Sequence, residues 1–264
     1  MITKGVPMKK GISQEALKLI ACMTMLIDHM AFRLISPVYS AMSAAGTATL
    51  PELKVLFNFY LLCRCIGRTA LPIFAFLLVE GFHTTRSRKK YACRLAIGAL
   101  LAEIPYNLLV SGKVICQYQS VMLTLLLGIC TLQVMEKCRS LAWKPVAVIP
   151  FAVAAELLAV DYGWAGIVLI ALFELSRQMD APNLVRTGGM IVLFHAMSPQ
   201  VLRIGNFSLP IQVVGVLSML FIANYGGYKR TASKAVQWMF YLFYPVHLFV
   251  LWAIWFLIFV GIPG

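Results

Sequence analysis

Stretches of about 20 apolar residues, enough to cross a hydrocarbon core about 30 Å thick at a helical rise of about 1.5 Å per residue, recur along the whole chain. Hydrophobic residues make up 61% of the 264 positions and charged residues 12%, against about 45–50% and about a quarter in soluble domains. A water-soluble core cannot hide that much apolar surface, so a soluble globular fold is excluded. Breaks at basic, Pro or Gly clusters divide the chain into helices at about 16–36, 57–82 with a bend near Pro72, 91–110, 120–135, 146–160, 163–176, 187–199, 210–224 and 236–260. The expected fold class is all-α: a polytopic membrane bundle of about nine helices, one domain over 1–264. The three segments from 146 to 199 are short for full spans, which predicts that they are tilted, partly re-entrant or bounded differently from this division. A cleavable signal peptide competes for the first run, but Asp28 and His29 interrupt it and its length favours a retained helix.

A formal charge of +13 suggests nucleic acid in a soluble protein. Here the basic residues gather on one side of the expected membrane. That side carries the lysines before the first helix (Lys4, Lys9, Lys10), the Arg86, Arg88, Lys89, Lys90 run, then Lys137, Arg139, Lys144, Arg177, Arg186, Lys229, Arg230 and Lys234. The other side has Lys54, Lys113 and Arg203. The positive-inside rule then puts residues 1–15 in the cytoplasm and the carboxy terminus outside. The charge is a topology signal and implies membrane lipid, not nucleic acid, as the surroundings. Seven cysteines, an odd number without a C-x-x-C pair, indicate neither a disulfide framework nor a zinc site, and no metal is expected.

Ionisable groups inside spans cost at least about 2.5–3.5 kcal/mol each at the bilayer centre, so they usually face the bundle interior and act there. Asp28, His29, Arg64, Arg68, Glu80, Arg94, Glu103, Glu156, His195 and His247 are such groups. Counting residues at about 1.5 Å each places His29, Arg68, Glu103 and Asp161 in one layer about 20 Å from the cytoplasmic surface, with His247 at a similar level. Glu80, His83 and Arg94 form a second layer beside the basic loop. Histidine near a carboxylate in a dry pocket suits proton transfer. Plainer readings stand beside these: an Arg68–Glu103 ion pair that only fixes packing, a basic run that only sets topology, and a structural His195. The set Trp238, Phe240, Tyr241, Phe243 and Tyr244 reads first as an interfacial aromatic belt.

The blocks Leu26-Ile27-Asp28-His29, Gly67-Arg68 with Leu71-Pro72-Ile73-Phe74-Ala75-Phe76, Val79-Glu80-Gly81-Phe82-His83-Thr84, Tyr91 with Arg94-Leu95, Glu103-Ile104-Pro105-Tyr106, Asp161-Tyr162-Gly163 and Phe243-Tyr244-Pro245-Val246-His247-Leu248 resemble the TraX family. That family is named for a conjugation protein associated with amino-terminal acetylation of F-type pilin. It resembles in turn the transmembrane acyltransferases that include acyltransferase 3 proteins and the lysosomal heparan glucosamine N-acetyltransferase. Where those usually place an Arg about ten residues before a first-helix histidine, this chain has Lys18, eleven before His29.

The resemblance implies a multi-pass protein of the bacterial cytoplasmic (inner) membrane that takes acetyl-CoA, or another acyl-CoA, from the cytoplasm as donor. The acceptor would be an amine or hydroxyl of unknown identity: a protein amino terminus, a glycan, a lipid or a small amine. His29 would be the base, oriented by Asp28 or Asp161, with Arg68 or Tyr244 at the oxyanion and Glu103 and His247 nearby. Glu80, His83, Arg86, Arg88, Lys89, Lys90 and Arg94 would hold the nucleotide end. Arg33 stands where the aspartate of an H-x-x-x-x-D glycerolipid acyltransferase motif would follow His29, and no phosphate loop is present. The rival readings are a small proton-coupled secondary transporter and a non-catalytic assembly factor.

Overall fold

A computed structural model describes residues 11–197, 201–204, 207–227 and 233–260. Lys4, Lys9, Lys10, Lys229 and Arg230 lie outside them, as do the side chains of Arg203 and Lys234. Among the described residues the fold is a helical membrane bundle with one short two-stranded hairpin, Val201–Ile204 (β1) against Phe207–Pro210 (β2). Four helical rods are long and apolar enough to span alone: Gln14–Ala45, Leu50–Thr84, Arg88–Ser111 and Ala235–Phe259. Against an expectation of about nine spans, four rods among the described residues are long enough to cross alone and the other helices are shorter.

The first rod starts at Ser13, whose hydroxyl accepts from the Ala16 N–H at 3.1 Å and satisfies an otherwise orphaned donor. It runs as α1 (Gln14–Met30), widens into a π-helical turn at Ala31–Ile35, and continues as α2 (Ser36–Ala45) to a left-handed Gly46. A π turn inserted in an α-helix is rare and tends to mark a working site. Here it follows His29 directly.

The second rod is α3 (Leu50–Gly67) plus α4 (Ala70–Thr84). The bend expected near Pro72 lies at Arg68 and Thr69 instead, where Thr69 N bonds Ile66 O in a tightened turn. Pro72 is still the cause. It has no N–H for the Arg68 carbonyl four residues back, so the helix breaks there while Pro72 sits harmlessly in the first turn of α4. Gly215 lets the next layer approach that carbonyl: a Cβ at Gly215 would stand 2.8 Å from Arg68 O.

Next come α5 (Arg88–Ser111), α6 (Val121–Lys137), α7 (Lys144–Leu157), α8 (Gly163–Ser176), α9 (Pro182–Met197), a 3-10 helix at Ile211–Ser218 running into α10 (Met219–Ile222), and α11 (Lys234–Phe259). The segment expected as one helix over 210–224 is thus mostly 3-10. α4 and α8 lie at the centre, with Ile73, Ala75, Ile167, Leu169, Ile170 and Phe173 fully enclosed.

α7 and α8, 14 residues each, reach about 21 Å and cannot cross the hydrocarbon core. The polar backbone of the loop between them is satisfied by protein. Asp161 N donates to Gln119 O at 2.9 Å, Gln119 N donates to Ala159 O at 3.0 Å, and the Thr124 hydroxyl donates to Asp161 O at 2.6 Å. Ala159 and Tyr162 both take positive φ, 49° and 65°, a conformation that L residues hold only when the surroundings impose it.

Candidate functional site

Two adjoining cavities run through the bundle from the face where α1 begins and α4 ends. The lower, about 180 Å³, is walled by Gln14, Glu15, Lys18 and Cys22 of α1, Thr84 and Thr85, Tyr91 and Arg94 of α5, and Gln237, Tyr241 and Tyr244 of α11. The upper, about 240 Å³, is lined by Asp28, His29, Arg64, Arg68, Tyr106, Asp161 and Tyr162. Met25, Phe74 and Val121 belong to both walls, so the two cavities are neighbours across these three side chains.

The upper chamber has two polar devices. The first is a buried ion triad: Arg64 Nη1 donates to Asp28 Oδ2 at 2.7 Å, and Arg68 Nη2 donates to Asp28 Oδ1 at 2.6 Å. Arg68 Nε also donates to the Arg64 carbonyl at 3.2 Å. A guanidinium has five N–H donors, so Arg68 keeps capacity for another oxygen. The break that Pro72 causes aims Arg68 inward, and Gly67 lets α1 close on α3. A Cβ at Gly67 would fall 2.2 Å from the Asp28 Cβ. Gly67→Ala is therefore expected to separate α1 from α3 and cost about 1–3 kcal/mol as overpacking, read as a lower melting temperature of the purified chain.

The second device is a histidine pair. His29 Nδ1 lies 2.8 Å from His247 Nε2, and His247 Nδ1 lies 2.7 Å from the Phe243 carbonyl. A carbonyl only accepts, so His247 Nδ1 carries hydrogen and, in the neutral ring, Nε2 is a lone pair. His29 Nδ1 must then donate to it. This leaves His29 with an unprotonated Nε2, the form of imidazole that can take a proton, on a ring that lines the upper chamber. Tyr244 and Phe243 clamp the pair: Tyr244 stands edge-on to His29 and His247 at 6.4 and 5.6 Å, and Phe243 stacks on His247 at 4.8 Å.

A family model for the TraX protein matches residues 13–255 of the chain. The chain belongs to the TraX family. Like this TraX-family chain, a protein of Dichelobacter nodosus named probable fimbrial assembly protein FimC, serogroup H1, is similar in sequence: 29% identical over 242 residues, 85% of this chain and 95% of that protein. No solved structure matches.

Of the residues expected to act in this TraX-family protein, Asp28, His29, Arg68 and Asp161 line one chamber, His247 touches His29, and Tyr244 lines the lower cavity rather than the chamber, edge-on to His29. Asp161 lies within electrostatic reach of Arg68. Three contacts differ from expectation. Asp28 is held by two guanidiniums, not by His29. Arg68 pairs with Asp28, not with Glu103. Glu103 lines neither cavity; it accepts from Asn107 Nδ2 at 3.2 Å, which also donates to Val114 O at 2.9 Å, so it faces the loop after α5.

In the basic layer, Arg94 lines the lower cavity. Glu80 is ion-paired with Arg177, His83 Nε2 meets Glu174 Oε2 at 2.6 Å, and Arg88 is ion-paired with Glu136. These three tie α4 and α5 to α6 and α8. Arg86, Lys89 and Lys90 are exposed on the same face. His195, with Nδ1 at 3.0 Å from the Ile191 carbonyl, stays a surface group. Sequence reasoning counted Arg64 among the interior ionisable groups but gave it no partner, and gave no role to Tyr106 or Tyr162. Arg64 carries a readable signal, since it precedes Arg68 by one helical turn and shares its face. Among the described residues no group of three or more His, Cys, Asp or Glu could hold a metal ion.

Proposed function

We propose that this chain is a membrane-embedded acetyltransferase. It moves an acetyl group from acetyl-CoA, delivered from the cytoplasm, to an amine or hydroxyl of an envelope-associated acceptor. The observation that carries the reading is the His29–His247 pair, which leaves His29 a lone pair, in a chamber that adjoins a second cavity reaching toward the basic face. Membership in a family associated with pilin acetylation and similarity to a probable fimbrial assembly protein support a pilus-type protein as acceptor. The basic face would be cytoplasmic, in the inner membrane.

The acyl-pantetheine arm fits the lower cavity, whose walls are mostly apolar, with Lys18 and Arg94 as cations and Gln14 and Gln237 as amides beside them. The nucleotide end would rest at the mouth, where Arg86, Lys89 and Lys90 are exposed and Arg94 stands between Tyr91 and Tyr241, 5.8 and 5.9 Å from their rings. Past Met25, Phe74 and Val121 the thioester meets the chamber. His29 Nε2 takes the proton of the acceptor N–H or O–H as that atom bonds the thioester carbon. Arg68 and Arg64 stabilise the oxyanion that develops. The C–S bond then breaks, and the leaving CoA thiolate takes from His29 the proton that the acceptor gave up, which returns His29 to its neutral form.

Titration calorimetry with acetyl-CoA tests the donor half. Saturable binding is expected, weakened about tenfold or more in Lys18→Ala and in Arg94→Ala, the size of one lost charge-assisted hydrogen bond. Lack of binding by the wild type, together with proton-linked flux in proteoliposomes free of CoA, would replace the acetyltransferase by the transporter.

A further inference from the structure

Arg33, one turn beyond His29 in the π-helical segment, has no role in the transfer described above. Its guanidinium carbon stands over the ring of Trp255 of α11, 3.6 Å from the centroid. Nε and Nη2 are buried and have no hydrogen-bond partner among the described residues, and no ion pair among them includes Arg33. The third wall is the end of α5: a Cβ at Gly112 would stand 3.8 Å from Nη2. The α5 terminus offers some negative potential but no bond.

Arg33 as a whole is half-buried, but two enclosed guanidinium nitrogens without a partner are costly, and a guanidinium over an aromatic ring still has N–H groups to offer a carboxylate or phosphate. The geometry also fixes distance. Arg33 follows His29 by four positions, so both point from one face of the first rod toward α11, where their partners, His247 and Trp255, are eight positions apart. An anion on Arg33 would lie roughly 6–12 Å beyond the His29 ring, on the side away from the donor cavity.

We infer that Arg33 and Trp255 form an anion subsite for the acyl acceptor, so that the acceptor carries a carboxylate or phosphate next to its reacting amine or hydroxyl. This rests on the acetyltransferase reading for the word acceptor; the anion site itself does not. A phospholipid headgroup offers the same chemistry, and the experiment separates the two sources.

The full chain in nonionic detergent is given labelled acetyl-CoA with either ethanolamine or O-phosphoethanolamine. The phosphorylated amine is expected to react with at least about tenfold higher kcat/KM, a preference lost in Arg33→Gln with acetyl-CoA binding unchanged. Equal rates for the two amines in the wild type would overturn the proposal. Independently of turnover, inorganic phosphate is expected to change tryptophan fluorescence saturably in the wild type but not in Trp255→Phe or Arg33→Gln. Failure of that response overturns the subsite even if transfer occurs, whereas a phosphate response without transfer to either amine overturns only the acetyltransferase. If phosphatidylglycerol added to the micelles abolishes the phosphate response, the site belongs to lipid and the acceptor assignment falls.

Discussion

His29→Ala is expected to lower acetyl transfer by about 10²–10⁴-fold, the usual contribution of a positioned general base, with acetyl-CoA binding unchanged. The two effects separate because His29 lines the upper chamber and not the lower cavity. His247 can be told apart from His29 by a second pair of variants. In His247→Gln the amide oxygen can still accept from His29 Nδ1, whereas in His247→Ala nothing holds that hydrogen. The glutamine variant should therefore retain clearly more activity than the alanine variant. If His247 were itself the base, both would be equally inactive and His29→Ala would be the milder change. The measurement is single-turnover transfer at saturating donor, which isolates the chemical step from product release.

Asp28→Ala is expected to destabilise the protein by about 3–5 kcal/mol, because it leaves two enclosed guanidiniums facing each other without their counter-charge. Loss of a single exposed ion pair would cost under about 1 kcal/mol, so the size of the effect tests whether the triad is enclosed. Removing one cation as well, in Asp28→Ala with Arg64→Met, should recover part of the loss because the repulsion disappears. Chemical denaturation of the purified variants reads both numbers. Additive losses in the double variant would mean that the three groups are not coupled.

The membrane class and the level of each polar layer were legible because both depend on residue count alone. Long apolar runs define spans, and a fixed rise per residue converts position into relative height, so His29, Arg68 and Asp161, counted to one height, were grouped in the sequence and line one chamber in the structure. Rotation about the helix axis was not legible. Glu103 lies at the right height but faces the loop after α5, and the apolar residues of that helix spread around its whole circumference, so they gave no face to orient it. Partner choice was equally hidden. Asp28 has His29 as its chain neighbour, yet successive helical positions diverge by about 100°, and its carboxylate turned to Arg64 and Arg68 while the imidazole turned to His247, 218 positions away.

The break at Arg68 was half legible. Pro72 announced it, but the displaced carbonyl lies four residues earlier, and it is the earlier residue whose side chain enters the chamber. The short 146–160 and 163–176 segments did signal two helices too short to span alone, 14 residues each. The 3-10 segment Ile211–Ser218 was missed: apolar content fixes burial there, but not whether the backbone closes its turns at three or four residues.

Transfer of label from acetyl-CoA tests the account most directly. Purified wild-type chain and His29→Ala, each in proteoliposomes, receive acetyl-labelled CoA and a panel of amines and hydroxyls that includes a peptide with a free amino terminus. The account predicts that label leaves CoA for at least one acceptor with the wild type and at a rate at least about a hundredfold lower with the variant. Equal transfer by both proteins, or label that stays on CoA with every acceptor while the wild type binds it, would contradict it.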